Sequence, residues 1–400
     1  MKKHVSLLLV LVLFAPMALL GQKEFKSKER DEYYKRSDSD EEYVGYIPTS
    51  KEVVLGYKNE FFFFKEIKEY APFYDKSLYY ALDGENLYNA IDLQNCRGKI
   101  DESQILKHGK NGNIEAFIYL SNVFEDNMYS DPGIWVAYSE DSGETWSYYF
   151  TGMLQKQPLF VKWYSSYPLI TYNGDLQIEA CLVRQMSEFI PLAMPSYELV
   201  KDGLLLTMPI KTLRKDSDGD GLTDIMEFKF RTDPNNTDTD GDGVPDNLDL
   251  NPRFAPNKTE QTIVFEAIVN HDRRICASYE KNCTDVFPFY ETQEEKYAVD
   301  STETIMIVTD DPSLQSIQPT STRMIIVSRK EYQESDRYVK DDMKTMIISP
   351  LFKVDGKKNV YIFSKYYDLC DNDYLITKTK KGWRIEVVNS YLDGEYIEDW

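Results

Sequence analysis

Asp216–Glu227 reads D-S-D-G-D-G-L-T-D-I-M-E, and Asp238–Asp249 reads D-T-D-G-D-G-V-P-D-N-L-D. Both stretches fit a twelve-position loop that wraps a calcium ion. In the first, Asp216, Asp218 and Asp220 hold positions 1, 3 and 5, and Gly221 holds position 6. Leu222 offers its carbonyl at 7, Asp224 holds 9 and Glu227 holds 12. In the second, the same places fall on Asp238, Asp240, Asp242, Gly243, Val244, Asp246 and Asp249. Calcium is a hard cation that takes about six to eight oxygen ligands, and the loop needs glycine where the chain turns sharply around the ion.

Between 216 and 249, ten Asp and one Glu stand against Lys229 and Arg231, a local charge of −9 in a chain of −21. Like charges ~4 Å apart repel by ~1 kcal/mol per pair even in bulk water, and by more where water is excluded. The segment is therefore expected to be loose when empty and ordered when filled, because metal binding then supplies folding free energy. Charge runs are most often solvated linkers. A linker, however, has no reason to place Gly at position 6 and a carboxylate at position 12 twice.

The segment resembles the thrombospondin type 3 repeat in its bacterial form. The resemblance is carried by D-S-D-G-D-G-L-T-D-I-M-E, T-D-P-N-N-T-D-T-D-G-D-G-V-P-D and N-L-D-L-N-P, over roughly 214–253. It implies a calcium in each loop, little regular structure, a shared acidic wall and Asp233 as an added ligand between the loops. It also implies an association with matrix and cell adhesion. Where that family has Gly before T-D-P, this chain has Arg231. Gly there ends a short helix in the left-handed conformation, so Arg231 is expected to do so only with strain. A signalling EF-hand pair needs an entering helix and a Met-rich face. The preceding P-I-K-T-L-R-K is too short for that helix, and Asn251-Pro252 ends the second loop at once. The sites read as permanently filled and structural, in the ~10⁻⁴–10⁻³ M class of extracellular modules.

The N-terminus points outward from the cell. Met1-Lys2-Lys3-His4 is basic, Val5 to Leu20 carries no charge, and a polar stretch follows Gly21. This predicts a signal peptide over 1–21, cleaved after Gly21. The uncharged run is shorter than the ~20 residues of a spanning helix and contains Pro16. The expected location is secreted or at the cell surface, in a bacterial periplasm or the medium. Five cysteines, an odd number, leave at least one unpaired within the chain, and Cys276 with Cys283 is the favoured pair.

The fold class expected is mainly β with minor α, as two β-rich domains flanking the calcium segment. Residues 22–42 are mostly charged and read as a flexible tail. Residues 43–210 alternate aromatic or β-branched runs with N-G, D-G and S-G turns, as in E-A-F-I-Y-L, I-W-V-A-Y-S and S-Y-Y-F-T-G. F-F-F-F-K-E-I-K-E-Y and L-Y-N-A-I are candidates for a helical turn. The calcium segment covers 211–253 and a second β-rich domain covers 254–400. Its expected strands are T-I-V-F-E-A-I-V, T-I-M-I-V, R-M-I-I-V-S, T-M-I-I-S, N-V-Y-I-F-S, D-Y-L-I-T-K and W-R-I-E-V-V, with a hairpin at Lys380-Lys381-Gly382 and a helix over 329–343.

Ser139–Trp146, S-E-D-S-G-E-T-W, matches the S-x-D-x-G-x-T-W Asp-box and so resembles the turn staple of sialidases and other β-propellers. Its Asp closes a turn and its Trp packs beneath, without catalytic duty. The arginines and nucleophile pair of the sialidases are missing: Tyr46-Ile47-Pro48 lacks the arginine. Of three histidines, His108 and His271 lie beyond the signal segment, and neither has a partner at zinc or triad spacing. No H-E-x-x-H, G-x-S-x-G or phosphate-cradling glycine loop occurs. No catalytic residue and no organic cofactor is expected. A charge of −21 argues against nucleic acid as partner. Aromatic pairs such as Trp163-Tyr164 and Tyr79-Tyr80 read as packing before sugar stacking. The favoured function is a calcium-binding structural or interaction protein with an adhesive character, the partner being a protein or glycan. The alternative is a glycan-binding or sialidase-like protein.

Overall fold

The computed structural model describes residues 26–30, 63–71, 105–121, 133–153, 159–162, 164–185, 197–270, 276–277, 286–288, 304–320, 322–334, 344–367 and 370–392. Residues 1–21, expected as a signal peptide, together with L-Y-N-A-I, Tyr79-Tyr80, Trp163, His271, Cys96 and Cys283, lie outside these residues, and with them the expected Cys276–Cys283 pair. The described chain is mainly β, in three sheets with a few short helices. Among the described residues no helix is long and apolar enough to cross a membrane.

The N-terminal half holds two antiparallel sheets. One is a meander of β2 (Ile105–Asn111), β3 (Ile114–Ser121), β4 (Gly133–Ser139) and β5 (Ser147–Met153). The other joins β1 (Phe63–Glu66) to β6 (Leu159–Val161), β7 (Leu176–Gln185) and β8 (Tyr197–Met208) in the order β1-β8-β7-β6. Phe63–Glu66, in the stretch expected to hold a helical turn, is instead a strand, with Phe63 opposite Thr207 and Glu66 opposite Leu204. Aromatic and β-branched residues suit such half-buried pleated surfaces. A buried ion cluster pins this sheet: Lys162 donates to Glu179 (3.1 Å), to Asp202 and to the Ala71 carbonyl.

After β8 come three helices: α1 (Ile210–Leu213), α2 (Asp224–Phe230) and α3 (Glu260–Val269). A nine-stranded mixed sheet follows, built from β9 (Cys276–Ala277), β10 (Phe287–Pro288), β11 (Thr304–Val308), β12 (Arg323–Val327), β13 (Lys344–Ile348), β14 (Phe352–Lys353), β15 (Val360–Tyr367), β16 (Cys370–Lys378) and β17 (Gly382–Leu392). Its spine runs β10-β17-β16-β15-β13-β11-β12, with β14 on β15 and β9 on β17. β11 is parallel to both β12 and β13. The connections carry α4 (Pro312–Gln315) and α5 (Arg329–Glu334), the latter falling at the start of the helix expected over 329–343.

T-I-V-F-E-A-I-V was expected to be a strand and is instead α3. Its β-branched composition favours a sheet, but Thr259 and Thr262 form a reciprocal capping box that starts a helix. Burial of Ile263, Val264, Phe265, Ala267 and Ile268 against the nine-stranded sheet then overrides propensity. Residues 26–30, within the stretch expected as a charged tail, are docked: Ser27 is buried and Arg30 pairs with Asp373 (3.4 Å).

The residue pattern of β11 and β12 decides where the core sits. Ile305, Ile307, Met324 and Ile326 face the cluster under α3. Met306, Val308, Ile325 and Val327 face a second cluster. That cluster also contains Phe117, Val136 and Phe150 of the meander, Ile178 and Leu206 of the other N-terminal sheet, and Leu222, Ile225, Met226 and Phe230 of the acidic segment. One apolar core therefore runs from the N-terminal sheets through the acidic segment to the C-terminal sheet. Strands buried on both faces read as unbroken apolar runs, as T-I-M-I-V and M-I-I-V do.

Candidate metal centre

Each twelve-residue loop is shaped by its own first aspartate. Asp216 accepts N–H bonds from Gly219 (2.7 Å) and Gly221 (3.1 Å), and Asp238 accepts them from Gly241 (2.8 Å) and Gly243 (2.8 Å). The position-6 glycines have φ of +102° (Gly221) and +97° (Gly243), which side chains resist. This turn gathers Asp216, Asp218 and Asp220 so that one oxygen from each lies within 4.8 Å of the others. Asp238, Asp240 and Asp242 repeat the arrangement.

The same oxygen is left without a protein partner in both loops: Oδ2 of Asp218 and Oδ2 of Asp240 are buried and accept no hydrogen bond. Position 12 sharpens the point. Glu227 is fully buried on α2, and neither of its carboxylate oxygens has a partner. Burial, then the charges of Asp218, Asp220, Asp224 and Asp246, push its carboxyl up to about 8. Asp249, the corresponding residue of the second loop, is buried and accepts the Asn251 N–H (2.7 Å). Burial, followed by the charges of Asp242, Asp240 and Asp246, pushes it up to about 7. Asp240 is raised to about 6 for the same leading reason. Buried carboxylates are normally paired or bound to metal. Unpartnered buried oxygens that face other carboxylates fit a hard cation.

The remaining sequence-derived residues take different places. Asp224 and Asp246, at position 9, clamp the loops. Asp224 accepts from the Ser217 N–H (2.8 Å) and hydroxyl (3.0 Å), and Asp246 accepts from the Thr239 N–H (2.9 Å) and hydroxyl (2.6 Å). Leu222 buries its side chain in the core, whereas Val244 is exposed. Both donate their N–H to the position-5 aspartate of their own loop. Asp233 stays exposed and closes a turn on the Asn235 N–H (3.1 Å).

Three contributors escaped the sequence reading. Ser217 and Thr239, at position 2, are the hydroxyls that the clamps require. Asn247 joins the loops: its N–H donates to Asp220 Oδ2 (3.1 Å), while its own Oδ1 is buried without a partner. A Cβ at Gly221 would lie 3.3 Å from the Asn247 amide nitrogen, so glycine there also makes room for the second loop.

α2 links the centre to the core. Thr223 caps it by accepting the Met226 N–H (3.3 Å), and Arg231 ends it at φ 60°, ψ 34°, the left-handed conformation expected of that position. For a residue with a Cβ this costs roughly 1–2 kcal/mol. The Asp-box turn lies between β4 and β5. Asp141 accepts from Thr145 N (2.9 Å), Thr145 Oγ1 (2.6 Å) and Ser139 Oγ (2.7 Å), and Trp146 Nε1 donates to the Gly143 carbonyl (3.0 Å). The Thr145 and Ser139 bonds hold the Asp141 carboxyl down at about 2. No protein-family model, no curated protein and no solved structure matches this chain.

Proposed function

We propose that this is a secreted or surface-exposed calcium-binding structural protein, in which two calcium ions rigidify the segment that joins its β-rich parts. The observation that carries this reading is Glu227: a fully buried carboxylate with two unpartnered oxygens, in the field of Asp218 and Asp220, two of the three gathered aspartates of its loop. The donor set is all oxygen, which favours a hard cation over zinc or copper. Many flexible carboxylates suit calcium better than magnesium, which demands a tight octahedron and keeps its waters. Export through the N-terminal segment would deliver the loops to a calcium-rich medium, where sites of ~10⁻⁴–10⁻³ M are occupied.

An adhesive role rests on the resemblance of the repeats. The glycan-acting alternative draws no support from the Asp-box, whose Asp141, Ser139 and Trp146 direct their polar groups into the turn itself. Calorimetric calcium titration of the mature protein tests the proposal. Two sites are expected, and Asp216→Ala with Asp238→Ala should remove most of the uptake. Chelation should open residues 216–249 to protease. No uptake at millimolar calcium would end the proposal.

A further inference from the structure

The second loop reaches across to the first with one side chain. Asn247 holds position 10 of the second loop, where the first loop has Ile225. Ile225 is buried in the apolar core and offers no side-chain oxygen. Asn247 lies against the first loop instead. Its N–H donates to Asp220 Oδ2 (3.1 Å), and its carbonyl accepts from Arg323 Nη2 (2.7 Å). Its amide nitrogen sits 3.3 Å from where a Cβ on Gly221 would be, beside the sharp turn of the first loop. Both backbone groups are thus engaged, yet the side-chain Oδ1 is buried and accepts no hydrogen bond. The loops also face each other electrically: the Asp246 charge acts on Glu227, and the Asp218 charge acts on Asp246.

We infer, resting on the calcium reading of the loops, that Asn247 Oδ1 is a ligand of the cation held by the first loop. The joining of the loops does not account for this side chain. Asn247 makes that bond with its backbone N–H, which any residue but proline would supply. A buried carbonyl oxygen left without a donor is destabilising. The first loop's own unpartnered buried oxygens are Asp218 Oδ2 and both oxygens of Glu227. Side-chain amide and carboxylate oxygens are ordinary calcium ligands, so one cation satisfies all of these atoms together. The first site is then complete only with the second loop packed against it, whereas the second loop receives no such oxygen from Ile225.

The test uses the full mature chain and calcium alone, titrated by calorimetry. Asn247→Ala keeps both backbone bonds and removes Oδ1. One calcium affinity should fall by about tenfold or more, since even residues that only orient metal ligands are worth about 10–100-fold, while the other stays unchanged. Asn247→Asp retains the oxygen and should bind as tightly as the parent or more tightly. The affinity lost should be that of the first loop. Asn247→Ala should therefore weaken binding in an Asp240→Asn background and add little in a Glu227→Gln background, because changes at one site are not additive. Luminescence lifetimes of bound europium in light and heavy water count the waters on the ion. Asn247→Ala should add about one as water takes the place of the lost oxygen, which a purely structural role would not do. Asn247→Ser serves the same comparisons should the alanine variant fail to fold. Two-site uptake undisturbed by Asn247→Ala, an unchanged water count, or Asn247→Asp as weak as Asn247→Ala would overturn the assignment and leave the calcium reading standing. No uptake by the parent would end both.

Discussion

At the scale of single residues, Glu227 is the sharpest test of the proposed calcium site. Glu227→Gln removes a carboxyl that the metal-free fold must either bury charged or hold protonated, so the metal-free variant is expected to be more stable than the parent by about 1–3 kcal/mol. On the proposed reading the same change removes a ligand, so the stabilisation gained on adding calcium should shrink. Melting curves with calcium and with chelator check both signs. Glu227 and Asp249 also give the metal-free protein a pH dependence. Their folded values, about 8 and about 7, lie above those of an unfolded chain. The folded state thus holds protons that the unfolded state releases. Stability without metal is expected to fall as pH rises from about 5 to 8, and saturating calcium should flatten that slope. Chemical denaturation at several pH values measures it. The two gathered triplets, Asp216, Asp218 and Asp220 and then Asp238, Asp240 and Asp242, were legible in the sequence because a cation-binding loop dictates residue type and spacing together. Ser217, Thr239 and Asn247 were not, because their work is closing backbone and joining loops, and many polar side chains at those places would read alike.

At the scale of elements, α3 shows where sequence pattern misleads. Ile, Val and Phe in T-I-V-F-E-A-I-V suit a strand, and the stretch is apolar on nearly every side. What decides is the cap in front of it: Thr259 and Thr262 satisfy each other's backbone N–H groups, and the next turn is committed to helix. Thr259→Ala is accordingly expected to cost about 1 kcal/mol, seen as a lower denaturation midpoint with unchanged calcium binding. Equal stability would mean that packing against the sheet alone holds the helix. By contrast, β3, β4, β11, β12 and the β16–β17 hairpin were legible, since their apolar runs are short and bounded by turn residues. The pairing of β11 with both β12 and β13 was not, because parallel neighbours leave no local turn signature.

At the scale of the whole molecule, the acidic segment is a joint cemented on two sides. On one, Ile225, Met226 and Phe230 enter the core shared with the N-terminal sheets. On the other, Arg323 of β12 donates to the carbonyls of Asp249 (3.1 Å) and Asn247 (2.7 Å) and lies over the Phe230 ring at 4.6 Å. Asn251 sends its amide to the carbonyls of Gln315 (2.8 Å) and Ile317 (2.9 Å). Arg323→Ala is expected to cost roughly 2–4 kcal/mol, because charged hydrogen bonds and a cation–π contact go together. It should also weaken calcium uptake by the second loop, whose last residues it anchors, and titration of the variant checks this. That the chain is mainly β was readable from its aromatic and β-branched runs between turns. That the acidic segment shares one core with the N-terminal sheets and with β11 and β12 was not, since nothing in T-I-M-I-V says which apolar partner covers its second face. The two-sided burial of β11 and β12 has a practical corollary for anyone producing fragments. A piece beginning after the acidic segment would present Met306, Val308, Ile325 and Val327 to water as a bare greasy stripe, and such a truncation should aggregate more readily than the intact polypeptide.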